Sequence, residues 1–193
     1  MTTPRGEVYD AIRKERAHQD SQWSELDKTK SLADFLSYMW TYYRSAEKNH
    51  WTQESHCSLC MADIRKIAAL AVGAQKFFGV VFRDSSKPFD GAMLGEGVFL
   101  GKQNQLQVFY AIDSERDYQD GLGIDRRFVG DMQNTIEKNP LGVGGHLTLL
   151  RHYLTKTDEA WAINSDASCL DVVRKVAAIA VRALEELGCP IRE

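Results

Sequence analysis

The chain has 193 residues, of which 44% are hydrophobic and 26% charged, the balance of a soluble globular protein with enough length to bury a core. That composition excludes a disordered tail, a collagen-like fibre and a disulfide-scaffolded miniprotein. With 24 basic and 27 acidic residues the formal net charge is -3. The basic excess that grips a nucleic-acid backbone is missing, so no nucleic-acid partner is expected.

The opening MTTPRGEVYD carries no apolar signal core. The first predicted helix runs from Glu7 to Gln22. Val8, Ile12, Glu15 and Gln19 recur at helical spacing along one face, so a carboxylate and an amide continue an apolar line. A second helix is predicted from Ser31 to Lys48, with an apolar stripe of Phe35, Met39, Tyr42, Tyr43 and Ala46. A third runs from Cys57 to Phe78, where Ile64, Ile67, Ala68, Ala71, Gln75 and Phe78 share a face and Gly79 supplies a C-terminal stop. Its run IAALAVGA follows Arg65 and Lys66 and falls well short of the roughly 18 apolar residues of a membrane span, so no membrane association is expected. The four cysteines, Cys57, Cys60, Cys169 and Cys189, read as reduced thiols of a cytoplasmic protein.

Residues 80–103 hold Gly91, Gly95, Gly97 and Gly101, with Pro88 and the short apolar pieces VVF and VFL. This pattern suits a linker or a small hairpin around GEG, and a structureless stretch of that length is unusual inside a domain. Beyond it the sequence repeats itself. AIRKERAHQD at 11–20 returns as AIDSERDYQD at 111–120, and IRKIAALAVGAQKFFG at 64–79 returns as VRKVAAIAVRALEELG at 173–188. Two matches in the same order predict an internal duplication: a first helical repeat over 1–79, a connector over 80–103 and a second helical repeat over 104–193. The expected fold class is all-α, with two similar three-helix units packed as a pseudo-dimer around a shared core. In the second unit Val108, Ile112, Glu115 and Gln119 repeat the mixed line. Leu147, Leu150, Leu154, Asp158 and Trp161 form a stripe, and Gly188 is the helix stop, followed by Pro190. The matched small residues Ala68, Ala71, Ala177 and Ala180 would let helices approach closely.

Glu15 and Glu115 are the most informative candidates, because an inward carboxylate needs a cation, a donor or a shifted pKa. Arg65 and Arg174 flank the apolar faces of their third helices and could reach them. Two readings stand. In one, Glu–Arg pairs fix helix register, with Arg16–Asp20 a surface pair. In the other, Glu15, Asp20, Asp63 and Arg65, with Glu115, Asp120, Asp171 and Arg174, line a polar pocket for a ligand or a divalent cation. The remaining acids, Asp34, Glu47, Asp158, Glu159 and Asp166, read chiefly as solvated helix faces. His50, His56, Cys57 and Cys60 have a loose zinc-like grouping, against which Cys60 matches Cys169 on the apolar face as a buried thiol. GVGG at 142–145 precedes a helix and could hold an anion or simply turn the chain. The aromatic run Tyr38, Trp40, Tyr42 and Tyr43 suits core and flank, or stacking on a base.

ERAHQDSQW followed by an amphipathic helix, and then LCMADIRKIAALAVGAQKFFG, resembles the MazG-like group of phage and prophage proteins, all-α nucleotide pyrophosphohydrolases. The resemblance implies a nucleotide pocket and Mg²⁺ held by acids of the second and third helices, which activate water against a nucleoside triphosphate. In the family the second helix carries EExxE and the third ExxD. Here the second helix, FLSYMWTYYRSAEKN, offers Glu47, and the third keeps Asp63 with Cys60 at the position of the glutamate. In the second unit HLTLLRHYLTKTDEAW and CLDVV lack both motifs. The expectation is therefore a protein that binds a nucleotide or nucleotide-derived small molecule, with Mg²⁺-dependent pyrophosphate release as the chemistry if it turns over. The alternative is a non-catalytic phage-type interaction protein, an adaptor or inhibitor of a host or defence protein. A homodimer is compatible with either.

Overall fold

The computed structural model describes residues 4–23, 29–52, 58–82, 98–122, 141–163 and 165–192. Within them the chain forms α1 (Pro4–Trp23), α2 (Leu32–Thr52), α3 (Ser58–Phe78), β1 (Gly79–Val81), β2 (Val98–Leu100), α4 (Gln105–Leu122), α5 (Val143–Ile163) and α6 (Asp166–Leu187). Among the described residues the fold is all-α apart from the antiparallel pair β1 and β2, in which Gly79 faces Leu100 and Val81 faces Val98; the expected turn around GEG lies outside the described residues. No helix among the described residues is long and apolar enough to cross a membrane.

Local chemistry sets the helix ends. Ser31 and Asp34 cap α2 reciprocally: the Ser31 amide donates to Asp34 at 2.7 Å and the Asp34 amide to the Ser31 hydroxyl at 3.4 Å. The backbone and hydroxyl donors of Ser31 hold the Asp34 carboxyl below its usual range. Asn104 and Gln107 exchange the same bonds at the start of α4, and the Ser165 hydroxyl accepts from Ser168 N at the start of α6. Gly188 ends α6 at φ 96° and Gly79 leaves α3 at φ 138°, backbone conformations that glycine adopts without strain.

The centre of the molecule is the α3–α6 contact. α2 and α1 pack on α3, α5 and α4 pack on α6, and α2 packs against α5. Ala68, Ala71, Ala177 and Ala180 are all fully buried, and their small side chains let the two central helices approach closely. The mixed lines behave as their periodicity predicts: Val8, Ile12, Glu15 and Gln19 are buried, as are Val108, Ile112, Glu115 and Gln119. The α5 stripe departs from expectation. Its buried line runs Leu147, Leu150, Leu154, Thr157 and Ala160, which leaves Trp161 49% exposed. Asp158 lies at the flank, accepting from the Trp40 indole at 2.8 Å.

Candidate functional site

The acids and arginines singled out in the sequence form two buried ion-pair centres. In the first, Arg65 on α3 donates to Glu15 on α1, with Nη2 to Oε2 at 3.1 Å. Arg192, beyond α6, places Nη1 2.9 Å from each Glu15 oxygen, and Arg65 also donates to the Pro190 carbonyl. In the second, Arg174 on α6 meets Glu115 on α4 at 3.1 Å and Asp171 at 2.7 Å and donates to the Val81 carbonyl of β1. Gln119 donates to Glu115 at 3.1 Å. Burying a carboxylate is costly unless charge and hydrogen-bonding capacity are both met; here guanidinium groups meet them.

The other three candidates have cations of their own. Asp63 accepts from Asn49 at 3.1 Å and Lys66 at 2.9 Å. Asp20 and Asp120 each pair with the arginine one turn earlier, Arg16 and Arg116. Neither arginine is a surface group: Arg16 is 1% exposed and Arg116 5%. Arg16 sits in space left by Gly73, where a Cβ would lie 2.5 Å from its Nη1, and its guanidinium is 5.8 Å from the ring centres of both Phe35 and Phe77. Arg116 instead reaches Glu185 of α6 at 3.1 Å.

A different place offers ligand-sized space. α2 and α5 run antiparallel, from the Trp40–Asp158 contact at one end to His50 beside Gly144 at the other, where a Cβ on Gly144 would lie 3.3 Å from His50 Nε2. Between them is a cavity of about 500 Å³, within the range of small-molecule sites. Arg151 and Lys156 bring positive charge to it, Glu47 and Glu159 negative charge, His50 and His152 imidazoles, and Trp51 an exposed indole. Tyr43 forms part of its buried floor. Burial, then the hydrogen bond its hydroxyl donates to Glu47 at 3.1 Å, pushes the phenol up to about 12, so it stays protonated as a donor. Burial and the neighbouring Lys156 lower the His152 pKa, favouring the neutral ring.

None of the eight candidate residues borders this cavity. Of its lining residues, Tyr43, Glu47, His50, Gly144 and Glu159 carried separate signals in the sequence: an aromatic stripe, single acids, a zinc-like spacing and a glycine turn. Arg151, His152 and Lys156 carried none. Cys60 is fully buried, while His56 and Cys57 lie outside the described residues. No group of three or more His, Cys, Asp or Glu side chains among the described residues is placed to hold a metal ion.

No family model, curated protein or solved structure matches the chain.

Proposed function

We propose that the protein binds a nucleotide or nucleotide-derived anion in the cleft between α2 and α5. The observation that carries this is the chemistry of the cavity: Arg151 and Lys156 suit phosphate oxygens, and the Trp51 ring suits a flat base. The MazG-like resemblance adds support from the sequence. The same proposal includes descent of the two helical units from one duplicated phage-type ancestor. In favour are the buried Glu15–Arg65 and Glu115–Arg174 pairs, which occupy corresponding sequence positions. Binding rather than turnover is the activity proposed, since the acids that the resemblance assigns to Mg²⁺ are thinned to Glu47 and Asp63.

A thermal-shift screen over nucleoside mono-, di- and triphosphates and cyclic nucleotides, with and without Mg²⁺, tests it. A ligand at about 100 times its Kd adds about 2.7 kcal/mol, several degrees of melting temperature for a domain of this size. Arg151→Ala and Lys156→Ala should abolish that shift while leaving the unliganded melt unchanged. No shift with any of these ligands would overturn the proposal.

One observation favours an interaction protein as the second reading. Phe99, Leu100, Leu106 and Tyr110 are 52%, 62%, 74% and 69% exposed on β2 and α4, and Phe82 packs against both Phe99 and Tyr110, which joins those two in one apolar surface of the kind that suits a partner. Recovery of a stoichiometric protein partner lost on Tyr110→Asp, together with no nucleotide shift, would favour that reading.

A further inference from the structure

The two arginine centres are closed in the same unusual way. Arg65 belongs to α3, yet the carbonyl it reaches is that of Pro190, just past the end of α6. Arg174 belongs to α6, yet the carbonyl it reaches is that of Val81, just past the end of α3. Arg65 and Arg174, Gly79 and Gly188, and Val81 and Pro190 are each separated by 109 positions. Each central helix therefore ends at a glycine of positive φ that sends the following residues across to the arginine of the other half.

The segment after Gly188 adds a side-chain contact. Arg192 donates through Nη1 to both oxygens of Glu15, which is 2% exposed, although its own side chain is 30% exposed. The neighbouring Ile191 points largely to solvent, at 78% exposure. A thin, half-exposed piece of chain thus closes a buried charge centre: Cys189 packs partly buried against the core at its start, and beyond it the chain is held by the polar contacts of Pro190 and Arg192. Such a segment can release at lower cost than the helices beneath it. The Val81 side differs, because β1 is paired to β2 and its three residues are buried.

We propose that Gly188–Arg192 is a releasable strap that latches the second half of the molecule onto the α1–α3 face of the first, and whose release uncovers the Glu15–Arg65 centre. The β1 side is its fixed counterpart. Hydrogen exchange on the intact protein tests this. In the wild type, raised salt should accelerate exchange in α1 around Glu15 and α3 around Arg65 while leaving α4 around Glu115 and α6 around Arg174 protected. Arg192→Ala should produce the same local pattern without salt, and Arg192→Lys, which keeps the charge and offers one donor nitrogen in place of the Nη1 that makes both bonds, a weaker form of it. Gly188→Ala should reproduce it by misdirecting the strap while leaving Arg192 in place. Unchanged exchange in Arg192→Ala would overturn the proposal. So would equal acceleration in both halves, the mark of general destabilisation. If Gly188→Ala fails to fold, the salt series and the two Arg192 variants decide.

Discussion

Arg65 and Glu15 lie 3.1 Å apart with side chains 5% and 2% exposed, and Arg192 completes the carboxylate from the other side. Removing the negative charge would leave two guanidinium groups facing each other across a neutral amide. Glu15→Gln should therefore destabilise the fold. The cost of breaking a fully buried pair is about 3–5 kcal/mol, and the partial exposure of Arg192 places the expected value toward the lower end. Denaturant titration would read this as a lower midpoint at unchanged slope. A wild-type midpoint would remove the structural role assigned to Glu15.

The second centre should respond in the same direction. Glu115→Gln leaves Arg174 with Asp171 at 2.7 Å, a partner already on its own helix, so the loss should be smaller than for Glu15→Gln. Comparing the two variants in one titration series gives the order directly. The reverse order would mean that Asp171 does not compensate Arg174.

Helix periodicity made both centres legible before any tertiary contact was known. An inward glutamate on α1 and on α4, with an arginine on α3 and on α6, offers a Glu–Arg pair as one of the two readings, and the structure shows both pairs formed. The ends of α3 and α6 were equally legible, because Gly79 and Gly188 mark them, whereas α2 runs four residues past the expected Lys48 to Thr52. Two features were not. Arg16 reads as a surface residue paired one turn on with Asp20, and its burial depends on the space left by Gly73 on another helix. The cleft depends on α2 meeting α5, and no local pattern in either segment reports that His50 stands against Gly144. Asp158 lies with the solvated acids and off the apolar stripe, because the buried line of α5 shifts from Leu154 to Thr157 and the position four residues after Leu154 falls at its flank.

Gly73 offers a direct probe of the Arg16 niche. A Cβ there would lie 2.5 Å from Arg16 Nη1, 2.9 Å from Cζ and 3.0 Å from Phe35 Cε1. Arg16 is held by Asp20 and by Gln19 at 3.1 Å, so it cannot simply swing into solvent. Gly73→Ala should cost about 1–3 kcal/mol by overpacking, although alanine is the better helix former. Gly142→Ala, where nothing lies within 4 Å of the added carbon, is the control and should be close to neutral in the same melting experiment. A neutral or stabilising Gly73→Ala would show that the niche can yield.

Acid stability should depend on Glu186. Burial alone would raise its carboxyl, but hydrogen bonds from His146 at 3.0 Å and Arg182 at 2.6 Å bring it down to about 2, from an ordinary value of 4.5. In the window between those values the unfolded chain binds a proton that the folded chain does not, so folding grows more favourable as pH rises through it. The contribution is complete above about pH 4.5 and disappears as pH falls toward about 2. The Glu186 side chain is 21% exposed on a residue that is itself exposed, and solvent screening holds the expected size to on the order of 1 kcal/mol. Melting curves of wild type and Glu186→Gln across this range should show the wild type more stable at neutral pH, with the gap closing as the solution is acidified. A gap that stays constant through the window would mean that the His146 and Arg182 contacts do not bias the carboxyl toward its charged form.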